Sequence, residues 1–163
     1  MDRRIAGLDG EIAAVLEASD WAESLACLTS APGIGLVTAA WLLVGTRNFT
    51  LCPDPTALTA YVGLAPMPRE SGRSVRGRPR IGHDGNGRLR TALYMATLSA
   101  ARYNPAIRAF YQRLRAAGKP LKVARCAAAR KLLHLAWALG TTQQRFDPAH
   151  EQQQHAAVPD LAA

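Results

Sequence analysis

The sequence predicts an all-α fold: a compact helical domain with a helix-hairpin-helix-like element and one long Arg/Gly-rich loop. Two observations predict it. Apolar side chains recur at three- and four-residue steps, the spacing of buried helix faces. Start and stop signals at Asp54-Pro55, Gly63, Asn104-Pro105 and Gly118 cut that pattern into pieces of helical length, and no piece reads as a strand.

Residues 3–17 place Ile5, Leu8, Ile12 and Val15 or Leu16 on one face of an amphipathic helix. A lone helix of this length is marginal in water, so it docks on its own domain or pairs with another chain. Ala22 to Thr29 makes a second short helix, and Ser30 to Gly35 turns the chain into an apolar helix, Leu36 to Gly45. Through Gly33 and Gly35 this turn resembles the helix-hairpin-helix module, whose amides form a phosphate site at a helix N-terminus. An ordinary helical hairpin filling the core is the alternative, since no lysine or arginine flanks the turn. Asp54 as N-cap and Pro55 at the first helical position start a helix that stops at Gly63. Asn86 caps a helix from Gly87 to about Tyr103, with Leu89, Leu93, Ala96 and Ala100 as its buried stripe. Asn104-Pro105 opens the next, ended by Gly118, and Lys119-Pro120 opens the last, ended by Gly140. Residues 1–20 are thus read as an N-terminal helix, 21–140 as the helical domain and 141–163 as a polar, disordered tail.

Between these helices lies a different kind of sequence. Residues 66–90 hold seven arginines against two acids and are broken by glycines and prolines. A long, cationic, mobile loop is expected, and long loops inside compact domains are usually functional. Guanidinium forks grip phosphate oxygens bidentately, and glycine lets a backbone approach its ligand.

Charge extends the argument. Residues 1–68 carry three basic and seven acidic side chains, residues 69–145 seventeen and two, and the remainder none and three. The concentration of positive charge in the second segment points to nucleic acid before a membrane surface. No apolar run is long enough to span a bilayer, and the N-terminus does not read as a signal peptide. Cys27, Cys52 and Cys126 lack metal-ligand or disulfide spacing, which fits a reducing cytoplasm.

The order of the motifs is distinctive. Pro32-Gly33-Ile34-Gly35, Tyr61-Val62-Gly63-Leu64-Ala65-Pro66, Ser71-Gly72, Gly85-Asn86-Gly87-Arg88-Leu89-Arg90, Asn104-Pro105 with Phe110-Tyr111, Gly118-Lys119 and Arg130-Lys131-Leu132-Leu133 follow one another along the chain. The series resembles the C-terminal transposase domain of insertion-sequence transposases of the one-ten type, the bridge-RNA-guided recombinases, over about residues 20–140. The resemblance implies an all-helical domain that works with a RuvC-like domain bearing metal-binding acids, and a serine that joins covalently to DNA. By position that serine is Ser71. Magnesium is expected in the RuvC-like domain, with no metal or other cofactor in this chain, and residues 1–17 read as the stump of a linker helix. Gly82, His83 and Asp84 depart from the family, which has a serine and basic residues there.

The chemistry is consistent with that role. A serine hydroxyl needs activation to attack a phosphodiester. Arg69, Arg73, Arg76 and Arg78 can neutralise charge developing on the phosphate. Ser74 is the alternative nucleophile. His83 is a candidate base or a solvated loop residue, and Glu70 and Asp84 are too isolated for a two-carboxylate metal site. Arg80, Arg88, Arg90, Arg113, Arg115, Lys119, Lys122, Arg125, Arg130 and Lys131 complete the expected phosphate contacts. Three readings follow. The chain is the DNA-binding part of a transposase, active only with the acidic domain; or a non-enzymatic remnant that binds DNA or structured RNA; or a structural, dimerising domain. Expected partners are DNA, a structured guide RNA and a second transposase chain docked through the N-terminal helix, in a nucleoid-associated, cytoplasmic setting without a membrane.

Overall fold

A computed structural model describes residues 2–71, 75–81 and 84–149, with backbone alone for residues 2, 67–71 and 75–80. Its elements run α1 (Asp2–Glu17), α2 (Ala22–Thr29), α3 (Leu36–Thr46), α4 (Pro55–Val62), β1 (Pro66–Ser71), β2 (Val75–Ile81), α5 (Gly87–Tyr103), α6 (Pro105–Ala116) and α7 (Leu121–Thr142). The fold is helical, and the caps account for its boundaries. The Asp54 carboxylate accepts from the Thr56 and Ala57 amides at 2.8 Å each. Asn86 accepts from Leu89 at 3.1 Å, and Gly63 and Gly118 turn the chain at positive φ, 77° and 73°. These bonds satisfy amides that a helix start leaves without partners.

Helix α7 is the central element. It packs against α2, α4, α5 and α6, while α3 bridges α5, α2 and α1. Its first half buries small residues, Ala124, Ala128 and Ala129, which lets neighbouring helices approach closely. Its second half buries Leu132, Leu133 and Leu139. The predicted α5 stripe of Leu89, Leu93, Ala96 and Ala100 is buried throughout. Asn104 is fully buried: its side-chain oxygen accepts from Ala106 and Ile107 at 3.1 and 3.2 Å, and its amide donates to the Pro32 carbonyl at 3.3 Å. The α5–α6 corner is thereby tied to the α2–α3 turn. In that turn Gly33 has φ +102°, and a Cβ on it would meet the Ala100 Cβ at 2.5 Å. A close approach to α5 requires the glycine there, whereas Gly35 opens α3 with nothing within 4 Å.

Three expectations need correction. The stretch read as one irregular loop is an antiparallel hairpin, with Pro66 opposite Ile81, Met67 opposite Arg80, Arg69 opposite Gly77, Glu70 opposite Arg76 and Ser71 opposite Val75. Its ladder is irregular between Met67 and Arg69, at the step where Pro68 and Pro79 lie. Proline cannot donate to a ladder and is confined to such interruptions. Secondly, Gly140 does not end α7, which continues to Thr142 and closes on Gln143 at φ 53°. Gly140 is buried within the helix because the Phe49 ring occupies the space a Cβ would take. Thirdly, the segment read as a tail from 141 is ordered at its start: Phe146 packs on the core, and its amide donates to the Ser30 hydroxyl at 2.8 Å. Residues 150–163 lie outside the described residues.

Helix α1 resolves its two alternatives by halves. Leu16 is buried and Ile12 packs on the core, but Ile5, Leu8 and Val15 are 51%, 58% and 70% exposed. Only the end of the helix is therefore docked. Among the described residues no helix is long and apolar enough to cross a membrane.

Gly140→Ala is expected to lower stability by about 1–3 kcal/mol through overpacking against Phe49, although alanine is the better helix former by about 1 kcal/mol. Gly10→Ala, with nothing within 4 Å of its Cβ in α1, is expected to raise stability by up to about 1 kcal/mol. Urea unfolding compares the two; stabilisation by both would show that the Phe49 seat costs alanine nothing.

Candidate nucleic-acid interface

The basic hairpin is positioned by a pinch at its root. Gly63 and Gly85, at φ 77° and 90°, pass so closely that a Cβ on Gly85 would lie 2.6 Å from the Gly63 nitrogen and 2.8 Å from the Tyr61 carbonyl. The Asn86 amide donates to that carbonyl at 2.9 Å. Arg90 closes the arrangement. Its Nη1 donates to the carbonyls of Asp84, Gly63 and Val62 at 2.9, 3.3 and 3.4 Å. One guanidinium nitrogen thus ties the α4 terminus, the α5 start and the returning strand together. Expected to grip phosphate, Arg90 already has this structural engagement.

The strands pair with each other, and Ile81 at the end of β2 packs against the helical core. At their base, Leu64, Pro66 and Ile81 share a cavity of about 350 Å³ with Lys122, Val123, Cys126 and Arg130 of α7. Two of the expected cations, Lys122 and Arg130, therefore stand beside the hairpin's root. Ser71 ends β1 opposite Val75. In the same ladder Arg69 pairs with Gly77, and Arg76 with Glu70. Arg78 and Arg80 are also in β2, and Gly72, Arg73, Ser74 and His83 lie outside the described residues.

The other expected cations occupy further surfaces. Arg88 is exposed in the first turn of α5. Arg113 and Lys131 both stand over the Phe110 ring, 5.4 and 5.6 Å from its centre, a cation–π arrangement that gives Phe110 a purpose besides packing. Arg115 donates to the Lys119 carbonyl at 2.6 Å and braces the α6–α7 turn. The Tyr94 hydroxyl first, with that of Tyr111 adding to it, favours the charged form of Arg125 and raises its pKa. Arg102 and Arg108, absent from the sequence-derived set, line a cavity of about 300 Å³ with Arg125 and Tyr111. Their signal lay in their flanking the Asn104-Pro105 corner, which brings the ends of two helices together.

Titration elsewhere follows burial. The half-buried His134 imidazole lies 2.8 Å from the Thr59 hydroxyl; desolvation, then the nearby Arg130 charge, pushes its pKa down and favours the neutral ring. Burial first, and Glu23 and Asp54 respectively, push the Cys27 and Cys52 thiols up. Burial likewise raises Cys126. No three His, Cys, Asp or Glu among the described residues come together as a metal site. Of the two acids of the basic stretch, Glu70 lies within β1 and Asp84 after β2.

Fold and site together define a helical domain from which an arginine-bearing hairpin projects. Residues 25–112 match the family described as Transposase IS116/IS110/IS902, and the chain belongs to that family. It is 37% identical over 147 residues to the insertion element IS110 43.6 kDa protein of Streptomyces coelicolor, covering 87% of this chain and 35% of that protein. It is 36% identical over 122 residues to the pilin gene-inverting protein of Moraxella bovis, covering 74% of this chain and 38% of the relative. To the insertion element IS900 42 kDa protein of Mycobacterium paratuberculosis it is 32% identical, covering 75% and 31%. The chain spans about a third of the length of these relatives.

Gly85→Ala is expected to cost about 1–3 kcal/mol, because it adds positive-φ strain to a backbone collision at the hairpin root. Gly87→Ala, whose Cβ would meet only an Arg90 nitrogen at 3.8 Å, is expected to change stability by no more than about 0.5 kcal/mol. Thermal unfolding of both variants checks this; equal losses would remove the pinch from the account.

Proposed function

We propose that this chain is the DNA-binding part of an insertion-sequence transposase, acting in transposition or a related recombination by serine-mediated strand cleavage and exchange. The observation that carries the reading is the hairpin: an arginine-rich antiparallel ribbon with Ser71 at the end of β1 and Arg69 two residues before it on the same strand. Family membership and the relative named for inverting a pilin gene support the reaction class.

In this reading the Ser71 oxygen attacks a backbone phosphorus and its proton passes to a base outside this chain. The phosphorus–oxygen bond to the departing strand breaks, that oxygen takes up a proton, and a serine–phosphate diester remains. Arg69 and neighbouring guanidinium groups stabilise the phosphate charge, while Lys122 and Arg130 hold the strand beside the hairpin's root. The acids of a RuvC-like domain, with magnesium as its metal, supply activation. A structured guide RNA directs the target, and the exposed Ile5, Leu8 and Val15 of α1 pair with a second transposase chain.

Binding is expected to fall by roughly three orders of magnitude between about 50 and 200 mM salt, with little sequence preference for this chain alone. Fluorescence anisotropy with duplexes of two unrelated sequences measures it, and indifference to salt would contradict the reading.

Mixed with a RuvC-like domain, magnesium, guide RNA and target DNA, the protein is expected to form a denaturant-resistant DNA adduct that Ser71→Ala abolishes. An adduct kept by Ser71→Ala and lost in Ser74→Ala would move the nucleophile. Salt-dependent binding with no adduct under any condition would favour a non-enzymatic nucleic-acid-binding module.

A further inference from the structure

Away from the hairpin, three helices bring three arginines into one notch. Arg102 comes from the last turn of α5, Arg108 from the first turns of α6 and Arg125 from α7, around a cavity of about 300 Å³ also lined by Tyr111, Gln112 and Thr97. Residues 85–146, which supply all of α5, α6 and α7, contain no aspartate or glutamate. No residue of α1–α4 lines the cavity either. Three arginines thus line one cavity with no carboxylate among the lining residues, a setting that suits an anion.

The corner between two of them is also held in place. Arg125 shares the notch with Tyr111. Arg102 and Arg108 flank the corner fixed by Asn104, whose side chain binds both the start of α6 and the Pro32 carbonyl. Such preorganisation reduces the ordering cost of binding. A cavity of this size lies at the small end of ligand sites, and guanidinium forks match phosphate oxygens in pairs. The Gln112 amide is a further donor, and the Tyr111 ring offers a surface for a sugar or base.

We propose that this α5–α6–α7 notch is a phosphate-binding site, separate from the hairpin, that receives one phosphate of a nucleic-acid strand. The choice of nucleic acid rests on the proposed function above; the phosphate chemistry does not. An internal diester and a terminal phosphate share that chemistry, and the test separates them.

The test uses the full chain and two double variants of equal charge change: Arg102→Gln with Arg108→Gln in the notch, and Arg47→Gln with Arg145→Gln outside it. Arg102, Arg108, Arg47 and Arg145 are all exposed, and unfolding curves check that both variants fold. Binding of a labelled single-stranded 20-mer is measured with and without a 5′-phosphate, alongside an NMR titration of arginine side chains with inorganic phosphate. The notch variant is expected to bind about tenfold more weakly and the other less than about threefold. Inorganic phosphate is expected to shift Arg102 and Arg108 resonances in the wild type. The same loss on both oligonucleotides assigns an internal diester, and loss only on the phosphorylated one assigns a terminal phosphate; either supports the site. Equal losses from the two double variants, or no shift with phosphate, would overturn it. Normal binding by the notch variant would overturn the site while leaving the hairpin reading intact. Phosphate shifts in a chain that binds no oligonucleotide would keep the site and remove the nucleic-acid reading.

Discussion

The close approach of Gly63 to Gly85 is the constraint from which the cationic face follows. A two-stranded hairpin is marginal on its own, so its direction is set where the chain leaves and re-enters the helical body, where Ile81 also packs on the core. Two positive-φ glycines make that crossing sterically feasible, and the Asn86 and Arg90 hydrogen bonds make it specific. The same crossing starts α5, since Asn86 both donates to the Tyr61 carbonyl and caps the helix that follows. Hairpin direction and α5 position are one arrangement. Ser71 and Arg69 lie on a ribbon rooted in the core rather than on an isolated excursion.

Electrostatics explains why the helical body tolerates this. The three helices after the pinch contain no carboxylate, so their cations have no acidic partner among themselves. Their shared core is alanine and leucine, and the cations lie outside it, over Phe110, beside the hairpin root or around the notch. Repulsion between separated, solvated charges is weak at physiological salt. Hydrophobic packing therefore suffices to hold the cations in position outside the core.

The helices were legible because their information is local. Asp54, Asn104 and Gly118 act within a turn of their own positions, and the α5 stripe repeats within one helix. The strands were not legible, because arginine, glycine and proline supply no period-two apolar pattern and the pairing depends on a crossing at distant Gly63 and Gly85. Gly140 was misread for the same reason. A glycine near a helix end signals a stop locally, yet this one seats a ring from Phe49, some ninety residues earlier. Cations were readable as a charge excess but not as a surface: Arg90 belongs to the fold, whereas Arg102 and Arg108 gain meaning only when Asn104 folds α5 back onto α6.

The acids of the basic stretch show how far this chain's own chemistry reaches. Glu70 is opposite Arg76 in the ladder, a cross-strand position that opposite charges suit. Asp84 contributes its backbone carbonyl to the Arg90 bridge, a contact independent of its carboxylate. Neither feature depends on catalysis, and both suit a segment whose task is to hold and present. Among the described residues no three metal-ligating groups come together, so what this chain's described residues offer a phosphate is positive charge rather than paired carboxylates.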